Sequence, residues 1–361
     1  MTEKLPEQYH ELFSKSFPIR KRQHEELNAY LDRLIAESEA QSQSFFSPNF
    51  SDVNAYESSL KPLRKQFHGM LGYPPPGVKT NPIPRFERVG QDRYADIYRV
   101  WVEVIEGVEV YGIYMVPRNL KGNAPLVIAQ HGGGGCPEAI CDLDTRVNYH
   151  SFGPEAVKRG YIVWAPFVLM RVTYGDDPNI EEDRYFQDRK ARLVGTSIVG
   201  IELYKIVRGL EALLTARPEI DPDRVGMTGL SYGGFYTLYA MAASERIHAG
   251  VCSGYFRIAD TEPLQIPKVD PVRGADRRYF NGLNTFGLVE VVGLACPRPL
   301  MIQNGRNDSV IPIEGAWRGA PMAAAFYERL RLADRFSYFE HEGGHEFHNE
   351  SLFGFFEEHL R

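Results

Sequence analysis

A chain of 361 residues could hold two average domains, yet single α/β enzyme domains also reach about 250 residues or more, so it reads as one large domain with an extension. Hydrophobic content of 43% against 24% charged residues excludes a disordered chain, and 33 Gly and 24 Pro follow no collagen-like period. A net charge of −6 weighs against a nucleic-acid partner, and four Cys without C-x-x-C spacing exclude a disulfide scaffold.

The first 22 residues are polar and carry no apolar leader segment, and no apolar run approaches the roughly 20 residues of a membrane span. The expectation is a cytoplasmic protein without a membrane partner. From Leu27, the residues Leu27, Tyr30, Leu31, Leu34 and Ile35 form the stripe of an amphipathic helix. A second stripe, Val53, Tyr56, Leu60, Leu63, Phe67 and Met70, predicts another helix, with Pro62 expected to restart it. Residues 1–78 are therefore read as a helical extension that packs on the main body or on another subunit. It is the candidate surface for a homo-oligomer. Residues 79–361 are read as the catalytic domain.

The period then changes from 3.6 to 2. Tyr98, Val100, Val102 and Val104 alternate with polar residues, and after Glu106-Gly107 the run Val108 to Val116 reads as the partner strand of a hairpin. Continuous apolar runs follow at 126–129, 161–165, 225–228, 249–252, 299–303 and 335–339, as expected of strands buried on both faces. Helical patterns separate most of them, at 154–159, 198–216, 234–244, 321–332 and 352–360. The alternation predicts an α/β fold, a mostly parallel central sheet with helices on both faces. Segments 136–152, 166–197 and 254–290 exceed ordinary α/β connections and read as lid and specificity loops.

The chemistry concentrates at strand ends. Gly229-Leu230-Ser231-Tyr232-Gly233 lies between a predicted strand and a predicted helix, where a sharp turn leaves room only for glycine and presents the serine hydroxyl clear of the sheet. A serine needs a general base and the base an orienting acid. Asp308 follows the strand at 299–303 and His345 follows the strand at 335–339, giving the order Ser, Asp, His. After the strand at 126–129 comes His131 and then Gly132 to Gly135. There the N–H of Gly133 or Gly134 complements that of Tyr232 as an oxyanion donor, and His131 orients the loop. A phosphate loop is the competing use of such glycines, but neither G-x-x-x-x-G-K-[ST] nor G-x-G-x-x-G with its acidic partner is present.

His341-Glu342-Gly343-Gly344-His345 also satisfies H-E-x-x-H, with His348 available as a third ligand. That zinc motif works on a helix, and two adjacent glycines after a strand pattern argue against one, so no metal and no cofactor are expected. Phe167, Arg171, Tyr174, Tyr255, Phe256 and Arg257 are candidates for the pocket rim. Tyr255 and Phe256 are preferred for substrate binding because they follow the strand at 249–252. Cys136 and Cys141 read as reduced thiols, and Trp164 and Trp317 as core.

These motifs, the H-G-G-G loop, the G-L-S-Y-G-G elbow, the G-R-N-D acid loop and the G-G-H-E-F loop, resemble the α/β-hydrolase superfamily over residues 95–361. Within it they are similar to dienelactone-hydrolase-like and acetylxylan-esterase-like enzymes, and to the catalytic domain of prolyl-oligopeptidase-type peptidases. The first resemblance implies a serine hydrolase of short-chain, acetyl-type esters on a small molecule or carbohydrate. It also implies no lactone substrate, because Ser231 stands where dienelactone hydrolases carry cysteine. The second implies a serine peptidase or amidase, but the extension here is short, helical and unrepeated, unlike a β-propeller. A non-catalytic binding module on the same scaffold is the third reading.

Overall fold

A computed structural model describes residues 6–143, 148–170, 180–258 and 277–360. Nine strands form one sheet: β1 (Arg85–Gln91), β2 (Ala95–Ile105), β3 (Val108–Pro117), β4 (Ala124–Gln130), β5 (Ile162–Pro166), β6 (Ile220–Leu230), β7 (Ala249–Ser253), β8 (Leu300–Gly305) and β9 (Phe336–His341). Their order is β1-β2-β3-β5-β4-β6-β7-β8-β9. The first three are antiparallel, β3 meets β5 antiparallel, and β5 through β9 run parallel. The predicted hairpin is β2 and β3, turning at Gly107 with φ 73°. Sequence analysis did not predict β1, whose exposed, polar pattern carries little periodic signal.

The helices are α1 (Phe17–Phe45), α2 (Val53–Leu71), α3 (Pro137–Ile140), α4 (Phe152–Lys158), α5 (Ile180–Leu193), α6 (Ile198–Ala216), α7 (Tyr232–Ala243), α8 (Leu288–Ala295), α9 (Glu314–Arg329) and α10 (Asn349–His359). In β4, Leu126 and Ile128 belong to one core cluster, while Val127 and Ala129 belong to another. Because successive side chains of a strand point to opposite faces, the two clusters lie on the two sides of the sheet. One holds α2, α6, α7 and α8, and the other holds α4 and α10.

The extension divides in two. Asp52 caps α2 by accepting from the N–H of Ala55 at 2.8 Å, and Gly72, with φ 64°, ends it. Its face of Tyr56, Leu60, Leu63, Phe67 and Leu71 is buried, each large side chain contributing about 1.5–3 kcal/mol of hydrophobic stabilisation. Tyr56 also donates to the carbonyl of Gly293 at 2.8 Å. Pro62 does not restart the helix; it lies inside one continuous element whose packing outweighs the lost backbone bond. By contrast, α1 is anchored only near its C-terminal end, where Ser42 donates to Glu290 and Phe46 stacks edge-on with Phe286 and Phe326. Its predicted stripe faces outward: Leu27, Tyr30, Leu31 and Leu34 are 42–55% exposed.

Two further expectations need correction. Trp317 is 49% exposed and donates its indole N–H to Glu340, because α9 begins at Glu314 and turns this position outward. The segment 166–197 contains α5 rather than a continuous loop. Trp164 is core as expected, and the four cysteines are unpaired. Among the described residues no helix is long and apolar enough to cross a membrane.

Candidate active site

The C-terminal ends of β6, β7, β8 and β9 lie side by side, and the predicted site residues hang from them. Ser231 sits between β6 and α7 with φ 61° and ψ −121°, a backbone region that costs a non-glycine residue about 1–3 kcal/mol. Glycine makes this turn passable. A Cβ on Gly229 would lie 2.3 Å from the carbonyl carbon of Gly233, and one on Gly233 would lie 2.1 Å from the carbonyl oxygen of Gln130. The turn is pinned by the Ser231 N–H donating to Ser253 O at 2.9 Å and by the Phe235 N–H donating to Ser231 O at 3.0 Å.

Asp308 is placed by the turn after β8, its own N–H reaching Gly305 O. Its Oδ1 accepts from the N–H groups of Val310 (2.7 Å) and Ile311 (2.8 Å), and its Oδ2 accepts from His345 Nδ1 at 2.7 Å. Burial pushes this carboxyl up, but the His345 hydrogen bond and the two backbone donors outweigh it and hold the group below the ordinary aspartate value. It is therefore ionised at neutral pH and fixes the proton of His345 on Nδ1, leaving Nε2 as the acceptor. The imidazole lies against Gly254: a Cβ there would stand 3.3 Å from His345 Cε1 and Nδ1. Gly254 follows Ser253, the backbone partner of Ser231, so the histidine, carried on the loop after β9, packs against the end of β7, the strand next to that of the serine. The Ser231 hydroxyl has no hydrogen bond among the described residues. Catalytic hydrogen bonds are commonly loose before substrate binds.

The glycine loop after β4 approaches from the other side. A Cβ on Gly132 would lie 3.3 Å from Ser231 Cβ, and one on Gly133 would lie 3.5 Å from the Tyr232 ring. The N–H of Gly135 donates to Gly132 O at 3.2 Å, closing a turn with Gly133 and Gly134 at its centre. Gly132 spends its own N–H on the Tyr149 hydroxyl at 2.7 Å. The N–H groups of Gly133 and Gly134 bond to no described residue. Tyr232 opens α7, where backbone N–H groups have no partner in the helix ladder.

His131 orients this loop, as expected. Its Nε2 accepts from the Val168 N–H at 3.2 Å, so its proton is on Nδ1, 3.0 Å from Gly132 O. Burial drives its pKa down to about 4, so the ring stays neutral. Phe167 stacks on it at 5.7 Å, which makes this rim candidate a support of the loop. Phe256 is not a substrate contact: it is fully buried, and a Cβ on Gly319 would lie 2.9 Å from its ring. Tyr255 lines a cavity of about 430 Å³ with Arg257, Arg277, Phe286 and Glu290. Ser38 and Ser42 of the extension form part of its wall. Arg277 links cavity and elbow, its guanidinium 4.5 Å from the Tyr232 ring centroid and its Nη1 donating to the Tyr255 hydroxyl at 3.2 Å. Arg171 and Tyr174 lie outside the described residues.

The zinc alternative finds no helix to stand on. His341 ends β9, and His345 is turned to Asp308. No group of three or more His, Cys, Asp or Glu side chains is arranged to hold a metal among the described residues. Tyr149, Asn148 and Arg277 contribute to the site without having been singled out in the sequence, since each sits in a long connection with no periodicity or motif.

A mostly parallel sheet with a positive-φ serine between β6 and α7, and an Asp–His pair on the loops after β8 and β9, is the arrangement of an α/β-hydrolase fold. The model of the prolyl oligopeptidase family matches residues 200–325. The Bacillus subtilis protein YtaP, named as a hydrolase, is 27% identical over 288 residues, covering 78% of this chain and 92% of YtaP. Among solved structures, a Bacteroides fragilis protein described as an acetyl xylan esterase aligns with TM-score 0.66 at 16% identity, covering 82% of this chain and 78% of that one. A glucuronoyl esterase from Solibacter usitatus aligns with TM-score 0.63 at 13% identity, covering 86% and 95%.

Proposed function

We propose that the chain is a serine carboxylic-ester hydrolase. Ser231 attacks the ester carbonyl while His345 Nε2 takes its proton, and Asp308 holds the imidazole in the required tautomer and stabilises the imidazolium. The N–H groups of Tyr232 and of Gly133 or Gly134 receive the tetrahedral oxyanion. His345 then protonates the departing alcohol, and the acyl-enzyme is released by water that His345 activates. The single observation that carries this reading is the strained Ser231 elbow beside the His345–Asp308 hydrogen bond.

The substrate class is a short acyl ester, acetyl-type, on a small molecule or carbohydrate. Likeness to proteins described as acetyl xylan and glucuronoyl esterases supports it. Four unpaired cysteines suit a reducing, cytoplasmic setting. The test is hydrolysis of p-nitrophenyl esters of rising chain length and of acetylated sugars, with Ser231→Ala as control. Turnover unchanged in Ser231→Ala removes the mechanism, and a preference for long acyl chains removes the substrate class.

The prolyl oligopeptidase match keeps one rival, a peptidase or amidase using the same residues. YuxL of Bacillus subtilis, named as an uncharacterised peptidase, is 28% identical over 148 residues, 40% of this chain and 20% of YuxL. Cleavage of aminoacyl arylamides faster than of the matching esters would favour it.

A further inference from the structure

Three consecutive residues between α3 and α4 touch both halves of the site. Tyr149 is buried, and its hydroxyl accepts from Gly132 N–H at 2.7 Å inside the glycine turn. The fit there is close, since a Cβ on Gly135 would come 2.2 Å from that oxygen. On the other side, Asn148 Nδ2 donates to His345 O at 2.8 Å, and Phe347 N–H donates to Asn148 O at 3.0 Å. His150 Nε2 meets Glu346 Oε2 at 2.7 Å, and Asn349 Nδ2 donates to His150 O at 2.9 Å. The Tyr149 and Phe347 rings pack at 5.6 Å. The backbone here is hooked: His150 and Ser151 take φ of 50° and 56°, left-handed positions sparsely populated by non-glycine residues. Such geometry persists where surrounding contacts over-determine it, and these contacts do so from both loops.

We propose that Asn148–His150 is a clasp that holds the oxyanion turn and the His345 loop in register, with Tyr149 and Asn148 as positioning residues. The inference rests on the serine-hydrolase reading. By engaging Gly132 N–H, Tyr149 leaves the amides of Gly133 and Gly134 to face the oxyanion. By engaging His345 O, Asn148 ties the base to the same turn. Neither side chain takes part in bond making.

The test is a double-mutant cycle of Tyr149→Phe and Asn148→Ala, assayed on a p-nitrophenyl ester and with a boronic acid that places an anionic oxygen in the oxyanion site. Tyr149→Phe is expected to lower kcat about 10²-fold, the scale of a 1 Å misplacement, with KM within about threefold. Boronate affinity should fall in parallel and the melting temperature should hold. Asn148→Ala, at an exposed position that tolerates truncation, is expected to lower kcat with KM unchanged. The double variant should lose less than the product of the two single losses. If Ser231→Ala abolishes turnover while both single variants keep kcat within about threefold, or if the two losses multiply, the clasp is wrong. Should Tyr149→Phe fail to fold, an unchanged kcat in Asn148→Ala overturns the proposal on its own. Retained turnover in Ser231→Ala points instead to failure of the underlying mechanism.

Discussion

Replacing Asp308 by Asn tests the electrostatic logic of the site more sharply than deleting it. The carboxylate accepts three hydrogen bonds, two at Oδ1 from Val310 and Ile311 and one at Oδ2 from His345. An amide offers one accepting oxygen and one donating nitrogen. If the oxygen faces His345, the NH₂ faces two backbone donors and leaves both unsatisfied, at about 1–3 kcal/mol each. The amide therefore turns its oxygen to the backbone and its NH₂ to His345 Nδ1, which forces the imidazole proton onto Nε2, where Ser231 needs an acceptor. A preference of about 2–6 kcal/mol disfavours the working tautomer by roughly 30- to 10⁴-fold, and loss of the negative charge beside the imidazolium adds to it. The expected result is a fall in kcat on the order of 10⁴, with KM little changed and the protein still folded. Initial rates on p-nitrophenyl acetate, with thermal melting as the fold control, measure this. A folded Asp308→Asn enzyme within tenfold of the parent kcat would refute the tautomer argument.

The same carboxyl sets a pH dependence of stability. Its folded pKa lies below the unfolded value of about 3.9, so its contribution is present above that value and is lost as pH falls through the folded one. Urea midpoints of the parent should therefore fall more steeply below about pH 4 than those of Asp308→Asn; equal slopes would contradict this. Gly229→Ala would press a methyl group into the Gly233 backbone and should destabilise by about 3 kcal/mol or more in urea unfolding. A shift under about 0.5 kcal/mol would mean that the elbow is looser than described. Phe256→Ala should cost about 3–5 kcal/mol of stability, whereas Tyr255→Ala should chiefly raise KM. The reverse pattern would restore Phe256 to the pocket. Finally, an antiparallel second copy would bring Arg20, Lys21 and Arg22 of one α1 toward Asp32, Glu37 and Glu39 of the other and cover the exposed stripe. Light scattering should find a dimer that Leu31→Glu with Leu34→Glu converts to monomer; a monomeric parent would end the homo-oligomer reading.

Where the sequence was legible, one local rule decided the outcome. β4 is a continuous apolar run because both faces are covered, α6 matches its predicted span of 198–216 because its core stripe and Ser197 cap agree, and Ser231 is bracketed by glycines that nothing larger could replace. Asp308 and His345 were legible for a related reason: parallel strands must end on one rim, so a polar residue just after each strand lands beside its neighbours. Where reading failed, a distant partner decided. Pro62 stays inside a helix because α2 packs on the body, Phe256 is core because α9 presents Gly319 to it, and β1 is held by pairing with β2 despite its polar face. Tyr149 is the extreme case. Its contacts are with Gly132, 17 residues away, and with Phe347 of the histidine loop, nearly 200 residues away, and no periodicity links these positions. Residues that tie the serine elbow, the histidine loop and the glycine turn together act across the sheet, so they become visible only when the strands are assembled.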